Sequence, residues 1–422
     1  MSKKTAIILI ILVTLLALGS VLAFYFYFYG KTGYTARGFL GEGSETTNPV
    51  FPGTGASAPK NAGTSGGTPT IEENGPETTL GETGATLIQI FPNPIAGATL
   101  VDKKGSPTLA RFIERTTGHI FERPLFATTT LTRRLSNKTI PKLQETLWSK
   151  DGQRVIVRYE REGEERVETF SGSIKPRASN PNEGELVGIF LPANIRSIAV
   201  NPNAEKIFYL TRDSSGSRGM TAKIDGAGKA EIFSSPLREW NVDWPNESVV
   251  TLTTKPSAGI AGSLFSVPSV GGTATKILSG ILGLTAKMNI DRSFILYSES
   301  GNENEITLRS LNLRDGTVRE ISLSTLPEKC VWSKRERASA FCAVPEELPT
   351  GGYPDSWYSG FVSFADDLWK INVETGSANF ITTLQDTSEN PFDAISLSLS
   401  EDEKILLFTD KNTLTPWALR MK

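Results

Sequence analysis

Beyond residue 85 the chain alternates short apolar runs with polar turns, and one unit recurs along it. An apolar strand ends in Trp or Asn beside Ser or Pro, a polar turn follows, and a strongly apolar strand comes next. The unit reads LQETLWSKDGQRVIVRYE from Leu143, IRSIAVNPNAEKIFYLTRD from Ile195 and WNVDWPNESVVTLTTKP from Trp240. It returns as GLTAKMNIDRSFILYSES from Gly283, EKCVWSKRERASAFCAVP from Glu328 and AISLSLSEDEKILLFTDK from Ala394. Successive copies lie roughly 45 to 50 residues apart, with one gap of roughly 67 before the last. Each copy leads into a second hairpin, such as ITLRSLNLRDGTVREISL from Ile306 or LWKINVETGSANFITTL from Leu368, with Asp-Gly or Thr-Gly at the turn.

Four strands per repeat, with no helical period between them, predict the blade of a β-propeller. A lone four-stranded unit cannot bury both faces, so blades must stack around an axis. Upstream of Leu143, the runs AGATLVD, LARFIE, HIFERPL and TTLTRRLS supply a further set of four strands. The last blade reaches only its third strand at TPWALRMK, and TLIQIF at 86–91 is available as the fourth. Its insertion there would remove an open sheet edge. The expectation is therefore an all-β, seven-bladed propeller over 85–422, closed by strand 86–91, with six or eight blades as the alternative counts.

The N-terminus has a different pattern. MSKK precedes an uncharged apolar stretch over residues 6–29, which spans about 36 Å as a helix, against a bilayer core of about 30 Å. Lys3 and Lys4 favour a cytoplasmic N-terminus, which puts the rest of the chain outside. The rival reading is a cleaved signal peptide with Val21-Leu22-Ala23 at the cleavage site, but the apolar run continues well beyond it. The expectation is a single-pass anchor over residues 1–30 in a bacterial cytoplasmic membrane. Residues 31–84, rich in Gly, Pro, Thr, Ser and Glu, read as a disordered linker with a mean reach of about 40 Å.

Charge narrows the list of partners. Lys and Arg total 44 against 46 Asp and Glu, a net charge of −2, and no dense basic run occurs, which argues against nucleic acid. No cofactor is implied. The single histidine, His119, opens a strand after the turn RTTG; without a second histidine or a G-x-S-x-G elbow it reads as a turn-flanking residue rather than a catalyst. One His and two Cys are too few for a zinc site. Asp366-Asp367 and Glu401-Asp402 lack the regular spacing of a calcium loop and read as solvated turns.

Cys330 and Cys342 fall on the two strands of one hairpin, centred near Glu336, and outside the membrane such a pair tends to oxidise; a cross-strand disulfide is expected, with two buried thiols as the alternative. Trp148, Trp240, Trp244 and Trp332 sit at strand ends or within inner strands and read as packing between blades. The long gap in the repeat is the insert PEELPTGGYPDSWYSGFVSFADDLW over 345–369. It carries Tyr353, Asp355, Trp357, Tyr358 and Phe361, a mixture suited to anchoring a partner, and these five are the candidate binding residues. Packing of the insert onto its own propeller is the competing reading.

The unit WSKDGQRVIVRY, through Trp148, Ser149, Asp151 and Gly152, resembles the repeat of TolB-like and WD40-like bacterial propellers. Partial copies are Trp332-Ser333, Asn201-Pro202 and Ser400-Glu401-Asp402, and the resemblance covers roughly residues 86–422. It implies a propeller used as a binding platform, as part of an envelope complex, or as a gating domain of a peptidase; fold alone does not choose among them. The expected function is a non-enzymatic module that binds a protein or an envelope polymer, with a hydrolase or lyase using axial carboxylates as the alternative.

Overall fold

The computed structural model describes residues 78–80 and 85–421, apart from 129–130, 137, 162–165, 178–179 and 302–304. The apolar stretch 6–29 and most of the linker lie outside the described residues, among which no helix is long and apolar enough to cross a membrane. Residues 85–420 form seven antiparallel sheets, each a blade of a propeller. The innermost strands are Ile95–Val101, Leu143–Trp148, Ile195–Val200, Trp240–Asn246, Thr285–Met288, Cys330–Trp332 and Ala394–Leu399. These begin blades 1 to 7 and flank one another around the axis.

Closure takes the form expected. Ala85–Gln89 pairs antiparallel with the last strand, Pro416–Arg420, with Leu87 opposite Leu419 and Ile88 opposite Ala418. One correction concerns the linker: Thr78–Leu80, read as part of it, pairs with Ala85–Leu87 and adds a fifth strand to blade 7. Arg123, in the third strand of blade 1, clamps the closing segment. Its Nη1 donates to the carbonyls of Gln89 (2.9 Å) and Ile90 (2.7 Å).

Alternation along each strand sends side chains to opposite faces, so each blade feeds two interfaces. Seven apolar clusters fill them. Leu87 joins Phe341, Leu368 and Leu406 between blades 6 and 7, while its neighbour Ile88 joins Phe112, Leu407 and Ala418 between blades 7 and 1. The others are centred on Val157 (blades 1 and 2), Ile207 (2 and 3), Leu252 (3 and 4), Ile295 (4 and 5) and Cys342 (5 and 6). Trp240 and Trp244 lie in the cluster between blades 3 and 4, and Trp148 and Trp332 pack against those of their own blades.

The turn after the inner strand explains why the repeat is visible. Ser149, Asn201, Asn289 and Ser400 each accept a backbone N–H five residues on, from Arg154 (2.8 Å), Lys206 (2.7 Å), Phe294 (2.9 Å) and Ile405 (3.0 Å). The fourth residue of each turn is left-handed: Gly152, Ala204, Arg292 and Glu403 have φ of +64°, +52°, +59° and +58°. Glycine alone adopts this without a steric cost of about 1–2 kcal/mol, which is why the D-G form is the recognisable one. The turns also bridge blades, as in Asn201 Nδ2 to Glu247 (2.7 Å) and Ser333 Oγ to Glu403 (2.7 Å).

Candidate functional site

On one side of the ring the inner strands of blades 2 to 5 border a pit of about 350 Å³. Its walls come from blades 2 to 5 and from the 3-10 turn Pro327–Lys329 that leads into blade 6. Three acids, Glu145, Asp243 and Glu328, face three bases, Arg158, Arg196 and Lys287, among Asn241, Ser197, Thr251 and Thr253. Formal charge is therefore balanced across a polar cavity.

The groups are held unequally. Arg158 donates to Glu145 (2.7 Å) and to the Ile195 carbonyl (3.1 Å), and Lys287 Nζ donates to the Cys330 carbonyl (2.7 Å). Burial pushes the Asp243 carboxyl up and the Lys287 ammonium down, each opposed by the other's charge. Glu328 is also pushed up by burial, against a hydrogen bond from Tyr358 and the Lys287 charge. The Tyr358 hydroxyl donates to Glu328 Oε1 at 2.5 Å. The other oxygen, Oε2, is buried with no hydrogen-bond partner. This oxygen belongs to a residue that lines the pit, and a buried acceptor without a donor is costly unless a ligand or solvent completes it. On the opposite end of the axis a second cavity of about 410 Å³ is laced by ion pairs from Glu401 to Lys150 (3.2 Å) and Lys334 (2.9 Å).

The aromatic insert connects the second and third strands of blade 6 and includes the one-turn helix Asp355–Tyr358. Its five candidate residues part company. Tyr353 and Trp357 are 2% and 5% exposed, inside an apolar cluster with Leu326, Val362 and Phe364, so neither offers a face to a partner. This corrects the expectation for those two: the propeller beneath the insert takes up their apolar area. Asp355 accepts the backbone N–H of Ala258 and so ties the insert to blade 4. Tyr358 reaches the pit as described, and Phe361 is 82% exposed.

Beneath Trp357 lies a group of buried charges that sequence reasoning missed. Lys329 Nζ contacts Asp393 Oδ1 (2.5 Å) and Asp366 Oδ2 (2.8 Å), and all three side chains are inaccessible to solvent. Asp366 is thus no solvated turn. Burial raises its carboxyl to about 6, opposed chiefly by the Lys329 charge. A lysine immediately before the inner strand of blade 6, with an aspartate at the same place before that of blade 7, was the available signal. The pit residues carried one too: a charged or amide residue within the inner strand of each of blades 2 to 5, as at Glu145, Arg196, Asn241 and Lys287.

His119 precedes the third strand of blade 1, with its backbone N–H donated to Thr117 Oγ1 (3.1 Å) and its ring edge-on to Phe121. Cys330 and Cys342 lie directly opposite each other and form a disulfide, S–S 2.12 Å. Among the described residues no cluster of His, Cys, Asp and Glu could hold a metal ion.

No family model matches the chain, and no curated protein matches its sequence. Solved structures do. The oligogalacturonate lyase of Vibrio parahaemolyticus is similar with a TM-score of 0.56 at 11% identity, over 83% of this chain and 97% of that one. An uncharacterised protein of Listeria monocytogenes is similar with a TM-score of 0.50 at 13% identity, over 78% and 95%. TolB of Acinetobacter baumannii aligns at a TM-score of 0.41 and 8% identity, over 69% and 64%, too distant to carry any argument. At these identities the likeness is one of fold, and that fold is an all-β, seven-bladed propeller.

Proposed function

We propose that the chain is a membrane-anchored binding module, held outside the cytoplasmic membrane by residues 6–29, and that its ligand enters the axial pit. The ligand class is a polar chain end, of a protein or an envelope polymer, that carries hydrogen-bond donors for Glu328 and acceptors for Arg196 and Lys287. The carrying observation is Glu328 Oε2, a buried acceptor without a donor in a charge-balanced cavity. Tyr358 would lie at the rim, and the exposed Phe361 on the same insert supplies an apolar contact for a longer partner.

Co-sedimentation of residues 78–422, the closed propeller without the apolar stretch 6–29, with isolated cell envelopes tests this. A hydrogen bond to a charged group is worth about 1.5–3 kcal/mol, or roughly tenfold or more in affinity. Glu328→Gln combined with Lys287→Met should therefore lower envelope binding at least tenfold, and unchanged binding would reject the pit as the site.

A second reading rests on Asp243 and Glu328, two carboxyls raised by burial around one lysine, the kind of pair that acid–base chemistry uses. Turnover of a glycoside or peptide substrate by the full chain, abolished by Asp243→Asn, would establish that reading in place of simple binding.

A further inference from the structure

We infer that Lys329 and Asp393 condense to an intramolecular amide that welds blade 6 to blade 7, with Asp366 acting as the proton carrier. The geometry is that of a reaction site. Lys329 Nζ stands 2.5 Å from Asp393 Oδ1 and 2.8 Å from Asp366 Oδ2, in a space closed to solvent. The ring of Phe364 lies 5.2 Å and that of Trp357 5.1 Å from the nitrogen, so apolar surface walls the group. Nucleophile and electrophile held in one orientation reach effective concentrations of about 10⁵ M or more, which favours condensation over hydrolysis where water is excluded.

Asp393 is held as an acyl donor would be. Its Oδ2 accepts hydrogen bonds from Trp357 Nε1 (2.9 Å), the Phe364 N–H (3.1 Å) and Ser363 Oγ (3.3 Å), with Lys411 Nζ at 3.7 Å. These donors would carry the negative charge of a tetrahedral intermediate on that oxygen. Oδ1, the oxygen facing the amine, is then the one to leave.

Asp366 has the properties of the shuttle. Its Oδ2 takes the Ala394 N–H (2.7 Å) and lies against the amine, while its Oδ1 is buried with no hydrogen-bond partner. A carboxyl that titrates at about 6 can both take and return a proton near neutral pH.

The step balances. The Lys329 ammonium passes one proton to Asp366, and the freed nitrogen lone pair attacks Cγ of Asp393. The tetrahedral intermediate collapses as its C–Oδ1 bond breaks. The departing oxygen takes two protons, one returned by Asp366 and one from nitrogen, and leaves as water. One ammonium and one carboxylate become one amide and one water, and no oxidant or second reactant is needed. The product also removes two charges from a site where burying them is expensive.

Joining residues 64 apart closes a covalent ring across the interface next to the closing strand. The test is the intact mass of the purified full chain, unfolded and with the Cys330–Cys342 disulfide reduced. The mass should be lower than the sequence mass by one water. Tryptic digestion should then give one branched species that joins the segment containing Lys329 to the segment containing Asp393. Asp366→Asn, which conserves volume, should restore the full mass in a chain that keeps its strand content by circular dichroism. A full-mass wild-type chain with both segments released separately would overturn the inference. So would a bond from Lys329 to the segment that carries Asp366.

Discussion

Truncating Leu87 and Ile88 to alanine tests whether the N-terminal strand holds the ring shut. The two side chains are 1% and 2% exposed and point to opposite faces of blade 7. Leu87 fills the cluster between blades 6 and 7, and Ile88 the one between blades 7 and 1. Buried Leu→Ala or Ile→Ala changes cost about 2–5 kcal/mol each. The clusters share no partner, so the costs should add to about 4–10 kcal/mol, a large part of the usual stability of a domain, about 5–15 kcal/mol. The readout is urea denaturation with amide exchange along Pro416–Arg420, the strand that Ala85–Gln89 pairs with. The double variant should lose most of its stability, and exchange in that strand should become fast before the other blades open. If its midpoint stays within error of the wild type and Pro416–Arg420 stays protected, the closing strand is not what seals the ring.

Further outcomes follow from the insert, the buried acid and the disulfide. Trp357→Ala, which removes a buried ring and a donor to Asp393, should cost about 3–5 kcal/mol and expose 346–365 to limited proteolysis, whereas Phe361→Ser should stay within about 0.5 kcal/mol of wild type. In a chain where Lys329 and Asp393 have not condensed, the Asp366 carboxyl should titrate near 6 rather than 3.8 by ¹³C NMR, and a midpoint at or below 4 would contradict its burial. Its folded value lies above the unfolded one, so its contribution is fully present below about pH 4 and is lost as pH rises through about 6, a difference of about 3 kcal/mol. Cys330→Ser with Cys342→Ser should cost about 2–3 kcal/mol, measured by thermal melting, because the loop it closes is short.

The blades were legible because each strand alternates and each inner turn repeats one hydrogen-bonding solution. Ser149 and Gly152 display it openly, and Asn289 with Arg292 solve the same geometry in residues that look unrelated. The closing strand was legible from an edge that needed covering. Thr78–Leu80 was not, because Thr-Thr-Leu sits in a polar, glycine-rich context where composition argues for linker. Aromatic residues in the insert read as exposed anchors because composition is silent on which ring finds a core. Tyr353 and Trp357 found one, and Phe361 did not. The buried charges were hardest. Lys329, Asp366 and Asp393 come from three separate segments, and only the stacking of blade 6 on blade 7 brings them together.

That the axial pit is the binding site is tested most directly by a photo-crosslinking residue placed at Ser197 in the full chain, in cells. The control places it at Lys229, in the exposed turn of blade 3 away from the pit. An adduct formed from position 197, absent from position 229 and lost when Glu328→Gln is added, is the expected result. Equal crosslinking from both positions, or crosslinking at 197 that survives Glu328→Gln, would contradict the account.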